Sequence, residues 1–280
     1  MNNDKKEKMR NRSRKLVQER IKKHKFVFAV YLILRVVVIA ILISSLVNKR
    51  YENAFICVLA LVLFMLPDII QKSLKIKFPS ALEVLVILFI FAAEILGELN
   101  SYYINVPHWD TMLHTINGFV CAAIGFSLVD LLNRHKKIKF ELSPAFLVVV
   151  AFCFSMTIGV LWEFYEFGSD MLLHTDMQKD TVIQRIDSTY IDPTKSNKVV
   201  SISDISETTV NGEELPVDGY LDIGIIDTMK DLLVNFVGAV VFSIIGYFYI
   251  KRRGRSKIAK QFIPFMDEND DGIDDNLQET

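Results

Sequence analysis

Long apolar runs alternate with short polar stretches along most of the chain. The runs cover residues 26–47, 53–70, 80–99, 109–132, 144–166 and 225–250. Each run is close to the roughly 20 residues that an α-helix needs to cross about 30 Å of hydrocarbon. The second run is the shortest, and it ends at Pro67-Asp68. The pattern predicts an all-α polytopic membrane protein, a bundle of six transmembrane helices.

A long polar insertion, residues 167–224, separates the fifth run from the sixth. Its stretch "VVSISDISETTVNGEELPV" alternates apolar and polar positions and contains Asn211-Gly212, a pair that favours a two-residue hairpin turn. We therefore expect a small β-rich cap here, with "DPTKSNK" as a loop. The predicted organisation is a basic leader (1–25), helices one to five (26–166), the insertion (167–224), helix six (225–250) and a basic, then acidic, tail (251–280).

Basic residues cluster in every second connection between the runs. Of the 32 Lys and Arg residues, 24 lie in residues 1–25, 71–78, 133–142 and 251–260. Cytoplasmic loops carry an excess of Lys and Arg, so both termini are predicted to be cytoplasmic and the 167–224 insertion extracytoplasmic. The predicted location is the plasma membrane, with the lipid bilayer as partner. The basic leader suits anionic headgroups, so no nucleic-acid partner is expected.

Composition agrees with a membrane protein and excludes several other classes. The 280 residues are 51% hydrophobic, and the mean hydropathy of +0.30 is too high for an ordinary soluble domain. The three cysteines lie in apolar runs without CxxC spacing, which favours packing over a disulfide or a cysteine zinc site. The tail "DENDDGIDDN" resembles half of a calcium loop but lacks the final Glu, so we interpret it as a solvated acidic tail.

Ionisable residues recur inside four of the predicted spans, nearly all of them in the outer half of the membrane on this topology. A charged group at the bilayer centre costs at least about 2.5–3.5 kcal/mol, so such residues need partners. Spans three to six deliver Glu94 and Glu98, Asp110 and His114, Glu163 and Glu166, and Asp227, Asp231 and Asn235, respectively. This convergence of four helices on one layer is the strongest functional signal in the sequence.

Helical spacing places these residues in pairs on single helix faces. Asp110 and His114 are four residues apart, as are Asp227 and Asp231, while Glu163 and Glu166 are three apart. Carboxylate and imidazole groups on facing helices form the metal sites of helix bundles. Oxygen-rich ligation with one His suits a divalent Mg, Mn, Ca or Zn ion. Small residues, Gly118 and Gly238 among them, would let the polar faces approach closely.

The sequence therefore predicts a metal site whose candidate ligands are Asp110, His114, Glu163, Glu166, Asp227 and Asp231. Four of these are also candidate catalytic acid–base groups: Asp110, His114, Glu163 and Asp231. Asn235, Glu94 and Glu98 are predicted to support the site.

A simpler interpretation competes for each carboxylate taken alone. A carboxylate near the end of a span reaches the aqueous interface, and this account is favoured for Glu98 and Glu166. Asp231 and Asn235 lie deeper and are harder to explain this way.

Arg35 lies near the middle of the first span, too deep to reach water comfortably. A buried arginine needs a carboxylate or a polar cavity. We therefore hypothesise that Arg35 faces the bundle interior and offsets part of the acidic cluster.

Four motifs resemble those of the YjdF-like bacterial inner-membrane proteins, a family without an established activity. They are W-D-x-x-x-H (109–114), W-E-x-x-E (162–166), M-Q-K-D-T (177–181) and D-T-x-x-D-x-x-x-N (227–235). The resemblance covers about residues 25–250. It implies a bacterial membrane protein with the same site residues, and it suggests that Asp176 and Asp180 fold back over the site.

Three classes of function remain open from the sequence. The first is metal-assisted hydrolysis or transfer on a lipid or envelope substrate, which would make the protein an enzyme. The second is a transporter or channel for a cation or proton-coupled solute, and the third is a structural membrane-assembly protein. Beyond Gly238 the sixth span reads "AVVFSIIGYFYI", with Ser243 as its polar residue, and this dry stretch favours a one-sided site over a conduit.

Overall fold

The computed structural model describes residues 3–74, 76–134, 142–252, 256 and 259–266. Its α-helices are α1 (Asn3–Val47), α2 (Tyr51–Leu63), α3 (Leu66–Leu74), α4 (Ser80–Phe91), α5 (Tyr102–Asn105), α6 (Trp109–Arg134), α7 (Pro144–Leu173) and α8 (Ile225–Lys251). Six segments of this described part are long and apolar enough to cross a membrane: Lys25–Val47, Tyr51–Leu74, Ser80–Leu99, Trp109–Asp130, Pro144–Leu173 and Ile225–Lys251. The predicted fold class, an all-α polytopic membrane protein, is confirmed.

The second span is interrupted and runs longer than its apolar run. Helix α2 ends at Leu63, and α3 begins at Leu66 and continues to Leu74. Pro67 lies in the first turn of α3, where a missing N–H removes no helical hydrogen bond. Pro67 therefore lies near the start of a new helical segment instead of ending the span.

The third span changes helix type along its length. Helix α4 passes into a π-helical segment, Ala92–Leu99. The wider turn is visible at its end, where Asn100 N donates to Ile95 O over 3.1 Å. Gly97 lies against the ring of Tyr103, and a Cβ at this position would overlap that ring. π-helical turns inside α-helices occur frequently at functional sites.

The described chain divides into two compact units, and each is described by itself. The first comprises the described residues within 1–156 and 235–280. One of its cores joins α6, α7 and α8 and contains Ala122, Phe126, Leu147, Ala151, Ala239 and Phe242. A second core joins α1, α2 and the third span, and contains Val38, Cys57, Ala60, Phe64, Ile87 and Ile95.

The C-terminal strap, residues 259–266, packs against the helices within the first unit. Strand β8 (Phe265–Met266) pairs antiparallel with β1 (Ile76–Lys77). Ile263 is buried in the core of α6, α7 and α8, and the Phe262 ring meets Phe119 edge to face at 5.3 Å. The sequence predicts a polar tail here, but "QFIPF" is apolar enough to bury. The acidic tail, residues 267–280, lies outside the described residues.

The second unit, residues 157–234, combines parts of α7 and α8 with the polar insertion. Its antiparallel strand pairs are β2 (Val182–Ile183) with β7 (Tyr220–Leu221), β3 (Ile186–Ser188) with β4 (Val200–Ile202), and β5 (Thr209–Val210) with β6 (Glu213–Glu214). Asn211 and Gly212 connect β5 to β6 with φ of 54° and 89°. Two positive φ angles are the signature of a type I′ turn, so the predicted hairpin is confirmed.

Candidate metal site near the start of α6

His114 and Asp110 form a close pair in the first two turns of α6. His114 Nε2 lies 3.6 Å from Asp110 Oδ1, and the two side chains are 8% and 33% exposed. Tyr102 packs edge to face on Trp109 at 4.9 Å and covers the first residue of this helix. The predicted i,i+4 spacing therefore brings an imidazole and a carboxylate together at a largely buried position.

A layer of polar side chains lies one turn further along α6. Asn117 Nδ2 donates to Asn235 Oδ1 over 3.2 Å, and Cys121 Sγ donates to Asn117 Oδ1 over 3.4 Å. Asn235 is fully buried, and its amide donates to Ser155 O over 3.5 Å. We call Asn117, Cys121, Ser155 and Asn235 the polar layer. It joins α6, α7 and α8 within the first unit.

Glycines bring α6 and α8 into direct backbone contact at this level. A Cβ on Gly118 would overlap the carbonyl of Asn235, and a Cβ on Gly238 would overlap the carbonyl of Thr115. Small residues at such crossings let helices approach closely. The predicted role of Gly118 and Gly238 is therefore confirmed.

Three of the predicted ligands satisfy the distance requirement for a shared metal ion. Asp110, His114 and Asp231 each offer one ligand atom, and these atoms lie within 4.8 Å of one another. Taken as whole residues, His114 and Asp231 are 7% and 3% exposed. We call these residues the Asp–His–Asp cluster. Among the described residues, Glu163, Glu166 and Asp227 are not part of such a group.

Two further carboxylates on α7 are buried. Glu163 is 4% exposed and Glu166 is 8% exposed. Glu166 Oε1 accepts a 2.8 Å hydrogen bond from Trp162 Nε1, one turn earlier on the helix. The sequence favours an interfacial position for Glu166, whereas its side chain is enclosed and bonded to an indole.

The M-Q-K-D-T motif packs against the first turns of α8. Lys179 N donates to Asp227 Oδ2 over 2.9 Å, and the Gln178 side chain bonds Thr228. Met177 N and Gln178 N donate to the Asp170 carboxylate on α7 over 2.7 and 2.8 Å. Two of the four sequence motifs are therefore in direct contact, and Asp227 has a positioning role at the start of α8.

Asp222 caps the start of α8. Its carboxylate accepts from Thr181 N at 2.7 Å, Ile226 N at 2.8 Å and Gly224 N at 3.3 Å. Burial raises the pKa of Asp222, but these three backbone donors outweigh burial and hold the pKa below its ordinary value. Asp222 thus fixes the direction in which the chain enters the sixth span.

The supporting residues predicted from the sequence differ in their exposure to solvent. Glu94 is half-buried and Glu98 exposed, both in the π-helical segment. Asp176 and Asp180, implied by the resemblance, are exposed. Burial and the neighbouring Asp176 carboxylate raise the pKa of Asp180 above its ordinary value.

Arg35 lies beside Tyr31 on the same helix. Its guanidinium carbon is 5.3 Å from the centroid of the Tyr31 ring. The carboxylates in electrostatic range of that ring are Glu83 and Asp68. Within the described part of the chain, no ion pair joins Arg35 to a member of the Asp–His–Asp cluster.

Sequence reasoning passed over Asn117, Asp170 and Asp222. Asn117 lies three residues after His114, so helical spacing alone places it on the same face. Asp222 lies three residues before the sixth span and two before its N-cap position, Gly224, so the usual N-cap rule does not indicate it. Asp170 follows Glu166 by one helical turn, but its role depends on how the next loop folds back.

Comparisons with known proteins assign a family but no activity. Residues 30–252 match the family model described as predicted membrane protein (DUF2238). An uncharacterised protein of Thermotoga maritima is 26% identical over 107 residues, which are 38% of this chain and 53% of that protein. The match thus spans about half the length of that relative. No solved structure matches the chain.

Proposed function

The chain belongs to the DUF2238 family of predicted membrane proteins, and from this premise we propose that it binds a divalent metal ion at the Asp–His–Asp cluster. The observation that carries the proposal is the convergence of Asp110, His114 and Asp231 to within 4.8 Å. Three protein ligands with further coordination positions left for water or substrate are typical of catalytic metal sites.

The charge of the cluster itself favours a cation. Asp231 is 3% exposed, and its ligand atom lies within 4.8 Å of that of a second carboxylate, Asp110. Buried carboxylates are costly unless they are paired, hydrogen-bonded or bound to a metal. A divalent ion would offset two of these charges and would also draw the carboxylates and His114 together.

The donor set narrows the choice of ion. One imidazole and two carboxylates are nitrogen and oxygen donors, which suit Zn or Mn and permit Mg or Ca. Such an ion would lower the pKa of a bound water and supply a nucleophile for hydrolysis or group transfer. In this proposal Glu163 on α7 is the acid–base group, and the polar layer holds α6 and α8 in register.

The distribution of basic residues supports placing the site on the outer face of a bacterial plasma membrane, with both termini in the cytoplasm. A site open to that side would meet lipid headgroups and envelope components, so these are the proposed substrate class.

The interior of the first unit favours a one-sided site over a conduit. Beyond the polar layer its core consists of Ala122, Phe126, Ala239 and Phe242, which are fully buried. Ser127, a polar residue in this stretch of α6, is 1% exposed, and its hydroxyl donates back to Ala123 O over 2.8 Å. A transporter would need a polar path through this aromatic region.

The test is the metal content of purified full-length protein, measured by elemental analysis beside two site variants and their controls. We expect near-stoichiometric Zn, Mn, Mg or Ca in the wild type, and at least a tenfold loss in His114→Gln and in Asp231→Asn. His108→Gln and Asp218→Asn alter an exposed residue of the same type, and should retain the metal.

Equal metal content in site and control variants would overturn the proposal, as would the absence of metal from all of them. Thermal unfolding of each apoprotein distinguishes the structural alternative. If His114→Gln and Asp231→Asn unfold well below the wild-type apoprotein, the residues serve helix pairing instead of metal binding.

A further inference from the structure

A groove of about 400 Å³ runs along the surface of α7 and α8. Along α8 its lining residues follow Asn235 of the polar layer, whereas Asp231 of the Asp–His–Asp cluster precedes Asn235. Its walls are Val148, Val149 and Phe152 on α7, and Val240, Ile244 and Phe248 on α8. All nine lining residues belong to the first unit. The side chains of Val149, Ile244 and Phe248 are about half exposed, so the groove opens onto the surface that faces the bilayer.

One polar group interrupts the apolar lining. Ser243 lines the groove and is 7% exposed. Its hydroxyl has no hydrogen-bond partner among the described residues. A hydroxyl enclosed by hydrocarbon loses free energy unless it finds an acceptor. The hydroxyl is therefore available to a ligand that carries an acceptor at this depth.

Positive charge gathers at one end of the groove. Lys251 Nζ lies 5.6 Å from the ring centroid of Tyr247, which is a lining residue. Arg252 follows and is exposed. Helix α7 starts at Pro144, next to the lining residue Ala145, and its first turn is capped by Ser143, whose Oγ accepts from Phe146 N at 3.2 Å. The N-terminus of a helix also attracts anions.

From these features we infer that the α7–α8 groove binds an anionic phospholipid. Its phosphate would lie between Lys251, Arg252 and the first turn of α7, and one acyl chain would fill the apolar groove. Ser243 precedes Tyr247 by one helical turn, about 6 Å along the axis. The ester carbonyls of a glycerophospholipid lie a few bonds deeper than its phosphate, so an ester oxygen can accept from Ser243. The inference does not rest on the proposed metal site.

Native mass spectrometry of the full chain tests the inference. Detergent-purified protein is incubated with equal concentrations of phosphatidylglycerol and phosphatidylcholine, and the retained lipids are counted. We expect retention of phosphatidylglycerol at least fivefold above phosphatidylcholine. Lys251→Ala should lower phosphatidylglycerol retention about fivefold, because one basic residue near an anionic headgroup strengthens binding by about that factor.

Matched variants separate headgroup recognition from general effects. Lys230→Ala removes an exposed lysine at the other end of the same helix and should leave retention unchanged. Ser243→Ala should lower retention of both lipids by the same factor, since both carry ester carbonyls. Val149→Trp fills the groove and should abolish the retained lipid without altering thermal stability.

Three outcomes would overturn the inference. They are equal retention of both lipids by the wild type, equal losses in Lys251→Ala and Lys230→Ala, and a change of oligomeric state in Val149→Trp with lipid retention intact. The last result would identify the groove as an interface between two copies of the chain.

Discussion

The side chain of Asn235 supports both the packing of the helices and the geometry of the candidate site. Its amide links Asn117 on α6 with Ser155 on α7, while its own carbonyl lies against Gly118. Asp231 stands one turn earlier on the same helix. A shift of α8 that broke the Asn117–Asn235 bond would therefore also displace a proposed metal ligand.

The Asp222 cap predicts a specific dependence of stability on pH. Its folded-state pKa is lowered, so its contribution is complete above the unfolded value of about 3.9 and is lost as pH falls through the folded value. Asp222→Ala should lower the apparent Tm at pH 7 by about 2 °C, the effect of losing one helix cap in a chain of this size. The difference from wild type should shrink below pH 4.

Circular dichroism of the detergent-purified protein between pH 7 and pH 3 provides the measurement. Asp218→Ala changes an exposed aspartate four residues away and should follow the wild-type curve. A difference between Asp222→Ala and wild type that stays constant down to pH 3 would contradict the assigned role.

Helices α6 and α8 depend on two glycines for their contact. Neither Gly118 nor Gly238 leaves room for a Cβ, because the facing atoms belong to backbone and cannot rotate away. Helix association in a membrane relies on such close packing, since lipid is as apolar as the side chains. Close packing at this crossing also brings the two halves of the polar layer together.

Gly238→Ala should therefore destabilise the protein by about 1–3 kcal/mol, the usual cost of overpacking. Gly168→Ala is the matched control, because a Cβ there meets nothing within 4 Å. That control should be neutral or slightly stabilising, since alanine is the better helix former. Chemical unfolding in mixed micelles measures both variants, and equal stability would refute the packing argument.

Sequence patterning predicts the helices well and their irregularities poorly. Hydropathy locates all six spans because twenty apolar residues leave few alternatives to a membrane helix. It misses the π-helical segment 92–99, since one extra residue per turn leaves no mark on composition. It also misses the strap, because eight residues are too few to stand out beside a charged tail.

For the side chains of the candidate site, too, the sequence predicts the regular features and misses the irregular ones. Periodicity predicts the Asp110–His114 pair, because local spacing fixes which residues share a helix face. It does not predict that Asp227 bonds Lys179 N, or that Asp176 stays exposed. Those outcomes depend on the path of the insertion, and no local rule specifies that path.

For the whole molecule, the charge pattern makes a prediction about orientation. In a background with Cys153→Ala, Tyr190→Cys should react with a membrane-impermeant maleimide in intact cells, because Tyr190 is 97% exposed in the insertion. Lys260 is also exposed, but Lys260→Cys should react only after lysis, because this segment is predicted to be cytoplasmic. Labelling of Lys260→Cys in intact cells would contradict the predicted orientation and indicate the opposite one.

The position of the strap at residues 259–266 has a consequence for the order in which the protein is synthesised and folds. Ile263 and Phe262 complete a core whose other members come from α6, α7 and α8. These residues are synthesised after the six spanning segments of the described chain, so those segments can insert while this core still lacks part of its covering. Final closure is then a post-insertion event, and a chain stopped at residue 252 would leave Phe119 without its aromatic neighbour Phe262. Quality control that recognises exposed aromatic surface could distinguish such an unfinished protein from a finished one.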